Sequence, residues 1–230
     1  MNKTNAALAS TGTMETLVYT IAGHDWRLMR DADLETLWAR MTDVDNAEDH
    51  IPYWAEVWPA SLLLAQHIAT QGPKLQGLRC LDVGCGLGLS ALVATEMGAQ
   101  VTAFDSEYPA LRYAHLNAEE NRQPQPLWLQ MDWRHPALTQ NSFDLIWGGD
   151  IVYEKRFFEP LEALFRHVLA PGGKVWLSQP KREVSVPVWD RFASLGWKTE
   201  EILRQNVHDG NLRVNVNLRE LTLPNKLSGA

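Results

Sequence analysis

From Cys80 onward, short apolar runs alternate with segments of helical period. The runs are Cys80 to Val83, Val101 to Phe104, Leu127 to Met131, Phe143 to Trp147 and Lys174 to Ser178, each of a length suited to a buried strand. Between them, Ser90 to Met97, Tyr108 to Asn121 and Phe157 to Leu169 read as helices. Strands that alternate with helices need crossover connections, so the pattern predicts a mostly parallel sheet covered on both faces. Beyond it lie a helix near Val188 to Leu195, a strand at Lys198 to Leu203 and an alternating run at Leu212 to Leu221. The link Arg204 to Asn211 is short enough for a hairpin, which makes the last strand antiparallel to its neighbour. The expected fold is therefore α/β: a doubly wound, Rossmann-like sheet of seven strands.

The pattern ahead of Cys80 is different. The first dozen residues are small and polar without periodicity, and residues 1–13 are expected to form a disordered tail. Leu17 to Ile21 and Trp26 to Met29 have strand composition and are separated by Ala-Gly-His-Asp, a hairpin outside the main sheet. A short helix, Asp31 to Met41, and an acidic turn-forming stretch, Asp43 to His50, come next. Pro59 to Ala69 then reads as a helix with Pro59 in its first turn. There is no internal repeat, so residues 14–230 are expected to be one domain: an N-terminal extension with substrate-side elements over 14–70 and a cofactor-binding core over 78–221.

Composition narrows the picture. With 230 residues, 45% hydrophobic and 21% charged, the chain can bury one sizeable core. No run approaches the roughly 20 apolar residues that span a bilayer, and the N-terminus lacks the apolar centre of a secretory signal. A cytoplasmic monomer without a membrane segment is the expectation. The two cysteines, Cys80 and Cys85, form no CxxC pair and have no clustered histidine, which argues against a metal site or a disulfide framework. A net charge of -7 disfavours general affinity for nucleic acid and suits a cationic partner.

The strongest local signal is Leu81-Asp82-Val83-Gly84-Cys85-Gly86-Leu87-Gly88-Leu89-Ser90, a strand running through a glycine-rich turn into a helix. Ligands of doubly wound sheets bind beyond the carboxyl ends of the strands, where this turn falls. Glycine there permits close backbone approach and positive φ. A dinucleotide loop, GxGxxG, requires glycine at position 89, and Leu89 stands there. The spacing of Gly84, Gly86 and Gly88 suits S-adenosylmethionine (SAM). Asp105 ends the second strand, where a carboxylate accepts both ribose hydroxyls or caps the following helix. Met131-Asp132-Trp133 follows the third strand, where Asp132 reaches an adenine amino group or stands as a solvated loop acid, with Trp133 covering the ring.

These residues resemble the seven-strand class I methyltransferases. More narrowly, they resemble the family 16 group of protein lysine methyltransferases, which includes the electron-transfer flavoprotein β-subunit lysine methyltransferase. The resemblance runs from about Ile51 to Leu203 and rests on Pro52-Tyr53-Trp54-Ala55-Glu56-Val57-Trp58-Pro59, the glycine loop, Met131-Asp132-Trp133 and Asp150-Ile151-Val152-Tyr153. It implies that Trp58 and Asp82 lie with the cofactor, that Trp54 and Glu56 meet the substrate, and that Asp150 and Tyr153 line the place where the acceptor nitrogen meets the methyl group. Helix capping by Asp150 and core packing of Tyr153 are the competing accounts. Related enzymes that act on planar amides use an Asn-Pro-Pro-Tyr type segment; here Asp replaces Asn and no proline follows. The stretch from Gln179 to Val188 and the N-terminal hairpin depart from the family pattern.

The resemblance implies a SAM-dependent N-methyltransferase with a lysine-bearing protein as acceptor. A small-molecule amine or pyridine methyltransferase and a non-catalytic SAM-binding partner remain the alternatives.

Overall fold

The computed structural model describes residues 13–37, 52–181, 186–209 and 212–224. Two strands, β1 (Met14–Ile21) and β2 (His24–Asp31), form an antiparallel ribbon of their own. The hairpin reading is right, but its turn is tighter than the sequence suggests. Ala22 and Gly23 alone make it, both at positive φ (51° and 81°), and His24 and Asp25 are already strand. The turn is of the two-residue kind that matches strand twist. The helix expected from Asp31 starts later: Asp31 ends β2, residues 34–37 are helical, and the remainder lies outside the described residues. The acidic stretch Asp43 to His50 also lies outside them.

A 3₁₀ turn, Tyr53–Ala55, leads into α1 (Pro59–Gln71), where proline occupies a first-turn position that needs no backbone donor. The remaining elements are β3 (Arg79–Val83), α2 (Leu89–Glu96), β4 (Gln100–Asp105), α3 (Tyr108–Glu120), β5 (Leu127–Gln130), β6 (Phe143–Gly149), α4 (Phe158–Val168), β7 (Leu169–Pro180), α5 (Val186–Ser194), β8 (Lys198–Asp209) and β9 (Leu212–Thr222). The seven-stranded sheet has the order β5-β4-β3-β6-β7-β9-β8. Its first five strands pair in parallel, and β9 runs antiparallel between β7 and β8, as expected for the last strand. Most of the predicted link Arg204 to Asn211 is strand, because β8 continues to Asp209.

Both faces of the central parallel strands are covered, which is why β3, β4 and β6 lack polar alternation. Neighbouring residues point opposite ways. Cys80, Ala103, Leu145 and Trp147 pack on one side with residues of α1, α2, α3 and the hairpin; Leu81, Phe104, Ile146 and Val175 pack on the other with α4 and α5. In α4 the buried residues Leu161, Leu164, Phe165 and Val168 recur at helical spacing, giving it a single apolar stripe for the sheet. The strand order reverses between β3 and β6, since β3 is followed outward by β4 and β5 on one side and by β6 on the other. A crevice opens at such a switch point, at the carboxyl ends of the strands. No helix among the described residues is long and apolar enough to cross a membrane.

Candidate active site

One cleft lies at that switch point, built from the turns that follow β3, β4, β5 and β6 and from the segment before α1. It brings together Trp54, Glu56, Trp58, Asp82, Gly84, Gly86, Asp105, Asp132, Trp133, Asp150 and Tyr153, which the sequence scatters over about a hundred positions. Gly88, the third glycine of the loop, does not line it. It stands at φ 87° before α2, and a side chain there would meet Ala114 Cβ at 3.0 Å and Trp128 at 3.1 Å. Gly88 therefore serves helix packing.

The other two glycines face the cleft with bare backbone. Gly84 has φ 66° and lies under Ile151 and Trp133; a Cβ at Gly86, φ 50°, would sit 3.2 Å from the Trp54 carbonyl. The Gly86 N–H donates to Asp105 Oδ2 at 3.0 Å, and the Glu107 N–H donates to Oδ1 at 3.0 Å. A carboxylate has about four acceptor sites, and the backbone N–H groups of Gly86, Glu107 and Ser106 leave Asp105 capacity for a further hydroxyl donor. Burial raises its pKa above the ordinary carboxylate range, partly countered by these N–H donors. Asp82, buried beneath the loop, accepts a 2.6 Å bond from the Ser90 hydroxyl at the start of α2. Desolvation lifts the Asp82 pKa to about 6 despite that bond. The Cys85 thiol is also pushed upward by burial, so it stays protonated and has no nucleophilic part.

After β5, Asp132 is held by Arg134, whose Nε approaches at 2.8 Å and whose backbone N–H donates at 2.8 Å. Desolvation would raise the Asp132 pKa, but the arginine outweighs it and holds it below the ordinary value. Asp132 is thus half of a local ion pair at the cleft rim. Trp133 packs edge-on against Phe157 with ring centres 5.1 Å apart.

Asp150 follows β6 in the left-handed region, φ 58°, where a residue other than glycine is strained. Its N–H donates to the Ser178 carbonyl at 2.8 Å, while the Ser178 hydroxyl donates to the Ala60 carbonyl at 2.8 Å. Behind it, Gly149 closes on Ser61 and Gly148 on Ile151 so tightly that a Cβ would lie 2.7 Å and 2.3 Å away respectively. This packing fixes the turn that places Asp150 on the cleft. Asp150 does not cap the next helical turn, Lys155–Phe157, whose N-cap is Glu154.

Tyr153 lies 5.3 Å from Tyr53 and 5.2 Å from Phe157, ring centre to ring centre. Burial drives the Tyr153 phenol well above its ordinary pKa, so it remains a neutral hydroxyl. Tyr53, not singled out from the sequence, is the ring that faces Tyr153. Its neighbour Trp54 also lines the cleft and stacks on Tyr113 of α3 at 5.9 Å. The Trp58 indole N–H donates to the Tyr53 carbonyl at 2.8 Å, which fixes the turn that presents Tyr53. Glu56 lines the cleft, but its carboxylate is ion-paired with Arg30 of β2. The signal for Tyr53 was its position in the aromatic run before Pro59; the partner of Glu56 lay too far off in sequence to be read.

The donor set fits an adenosyl group. A buried acid stands beside bare glycine backbone, between the apolar walls of Phe104, Met131 and Trp133.

A family model described as lysine methyltransferase matches residues 43–189. The protein N-lysine methyltransferase METTL21A of Danio rerio is 31% identical over 166 residues, covering 70% of this chain and 68% of its own. The histone-arginine methyltransferase METTL23 of Mus musculus is 30% identical over 131 residues, covering 55% of this chain and 52% of its own. This chain thus spans little more than half the length of some relatives it matches. Among solved structures, a Thermus thermophilus 16S rRNA methyltransferase, RsmC, in complex with AdoMet and guanosine superimposes with a TM-score of 0.60 at 17% identity, over 92% of this chain and 51% of the other. That likeness concerns the fold. With its family model and its sequence relatives in agreement, the chain belongs to the lysine methyltransferase family.

Proposed function

We propose that this chain methylates the lysine side chain of a protein acceptor, with SAM as its cofactor. The observation that carries the reading is Asp150: a strained acid, braced from behind by Ser178, opens on the same cleft as the Gly84–Gly86 backbone and Asp105. The Danio relative, named a protein N-lysine methyltransferase, supports a lysine-bearing acceptor.

When bound, the cofactor supplies an activated methyl group on a sulfonium. Asp105 would hold the ribose with its remaining acceptor capacity, and Gly84 and Gly86 would let the backbone approach the methionine part. Trp58, Asp132 and Trp133 would border the cofactor, and Asp82 anchors the loop through Ser90.

The acceptor side must present a neutral amine. Lysine has a reference pKa near 10.4, so only about one side chain in a thousand is uncharged at neutral pH. Asp150 draws in the ammonium and orients it. The aromatic rings of Tyr53 and Tyr153 attract the incoming cation, and burial among them then disfavours the charged form, so the ammonium releases its proton to solvent as it enters and the neutral amine faces the methyl group. Tyr153, kept neutral by burial, offers a hydrogen bond and does not act as base.

Incubating the protein with tritiated SAM and cell lysate is expected to label protein, with mass spectrometry locating the methyl on lysine nitrogen. Asp150→Ala should lower turnover about a hundredfold or more. Its affinity for S-adenosylhomocysteine should stay within about threefold in calorimetry, since Asp150 serves the acceptor. Label confined to small molecules or to arginine overturns the acceptor assignment, and a folded wild-type protein that gives no heat with S-adenosylhomocysteine overturns the cofactor assignment.

A further inference from the structure

The N-terminal hairpin lies outside the cleft, yet two of its contacts end on the two walls of the cleft's loop side. The first runs through Asn117 of α3, a fully buried side chain. Its Oδ1 accepts the Met29 N–H at 2.7 Å, and its Nδ2 donates to the Met29 carbonyl at 3.3 Å and to the Leu87 carbonyl at 3.0 Å. One amide thus pairs with β2 as a neighbouring strand would and also grips the glycine loop between Gly86 and Gly88. The second contact runs through Arg30 of β2. Its guanidinium bridges Glu15 of β1, at 2.8 Å, and Glu56 of the segment before α1.

These contacts close a ring. The hairpin holds the loop through Asn117 and holds the Tyr53-to-Trp58 segment through Arg30 and Glu56. Loop and segment meet where Gly86 faces the Trp54 carbonyl, with 3.2 Å left for any added Cβ. Neither Asn117 nor Arg30 lines the cleft. A buried amide with three satisfied bonds and a doubly paired guanidinium are costly to disengage, because each would leave unpaired polar groups behind. The spacing between loop and segment is therefore set from outside the cleft.

We propose that Asn117 and Arg30 are positioning residues through which the N-terminal hairpin is coupled to cofactor binding. This rests on the cofactor assignment made above. If the hairpin holds the loop in its binding geometry, the ligand must hold the hairpin in return, because coupling between two sites is reciprocal.

The test combines calorimetry with S-adenosylhomocysteine and amide hydrogen exchange on wild type, Asn117→Leu and Arg30→Gln. In wild type the ligand should slow exchange at Arg27 and Met29, which make no contact with the cleft. Each substitution should weaken S-adenosylhomocysteine binding about tenfold, within the usual range of coupling between sites. Arg30→Lys, which keeps the charge, should recover part of the loss. Should Asn117→Leu fail to fold, Arg30→Gln and the wild-type exchange decide the matter. A purely structural role would lower Tm in the variants but leave hairpin exchange blind to the ligand. That result, or a Kd within about twofold of wild type in a folded variant, overturns the coupling while leaving the cofactor assignment standing. Absence of S-adenosylhomocysteine binding by wild type overturns both.

Discussion

Gly86 and Gly88 are two positions apart in one loop, yet they answer to different neighbours. Gly86 opens on the cleft and faces a backbone carbonyl, which cannot move aside; Gly88 faces the side chains of Ala114 and Trp128. Gly86→Ala should therefore weaken S-adenosylhomocysteine binding about tenfold or more, since left-handed strain of 1–2 kcal/mol and lost clearance both fall on the binding loop. Gly88→Ala should cost about 2 kcal/mol or more of stability in urea unfolding, with much less effect on affinity. Equal losses of affinity in both would erase the distinction. Asp82 makes a second prediction at this scale. Burial raises its pKa from 3.8 to about 6, so the folded protein binds the proton more tightly than the unfolded chain. The resulting stability is present below about pH 4 and is lost as pH rises through about 6. Asp82→Asn keeps an acceptor for the Ser90 hydroxyl without the charge. Its stability relative to wild type should rise between pH 4 and pH 7 by an amount on the order of 2–3 kcal/mol, and a flat difference across that range would remove the raised pKa from the account. Residue types announced the loop, but only packing separates a glycine that clears a ligand from one that clears a helix.

Elements were legible in proportion to how much apolar surface they bury. Strands β3, β4 and β6, covered on both faces, appear as mainly apolar runs within a residue or two of their bounds. The second half of β8, from Arg204 to Asp209, carries mostly polar residues and was read as a link, because a ribbon with solvated faces leaves no apolar signature. The hairpin shows the same effect: His24 and Asp25 are exposed strand residues that look like turn. Its true turn, Ala22-Gly23, has a weakness the sequence can now explain. Ala22 is exposed at φ 51°, a place where asparagine is favoured and alanine is strained. Ala22→Asn should raise stability by about 0.5–1 kcal/mol, read as a higher urea midpoint with an unchanged slope. Candidate site residues followed a similar rule. Asp105, at the end of β4, stood out by its distance from the glycine loop, and Asp150, just beyond β6, by the resemblance of Asp150-Ile151-Val152-Tyr153 to a family segment. The partners of Glu56 and Asn117 did not, because Arg30 and Met29 reach them across large gaps in sequence and no local period encodes the meeting.

At the scale of the whole molecule, the topology gathers four strand ends into one cleft, and the proposed acceptor has to reach it from solution. The net charge of -7 then matters for encounter. A lysine-bearing acceptor approaches a negative body, and an attractive field raises the rate of productive encounter while leaving bound contacts unchanged. Such a field is screened beyond about 10 Å at 0.1 M salt. The run Asp43, Asp45, Glu48 and Asp49 adds four negative charges just ahead of the cleft-forming Tyr53-to-Trp58 segment in sequence, and lies outside the described residues. Raising salt from about 0.05 to about 0.5 M should increase the KM for the protein acceptor severalfold. The KM for SAM should hold within about twofold, because its binding relies on buried contacts that salt screens weakly. Reversing the four charges to lysine should raise the acceptor KM at low salt and flatten its dependence on salt, with kcat unchanged. If the variant keeps the wild-type KM and salt slope, those four acids have no part in steering; if acceptor and cofactor KM rise together with salt, the effect lies in the cleft and the long-range field is not its cause.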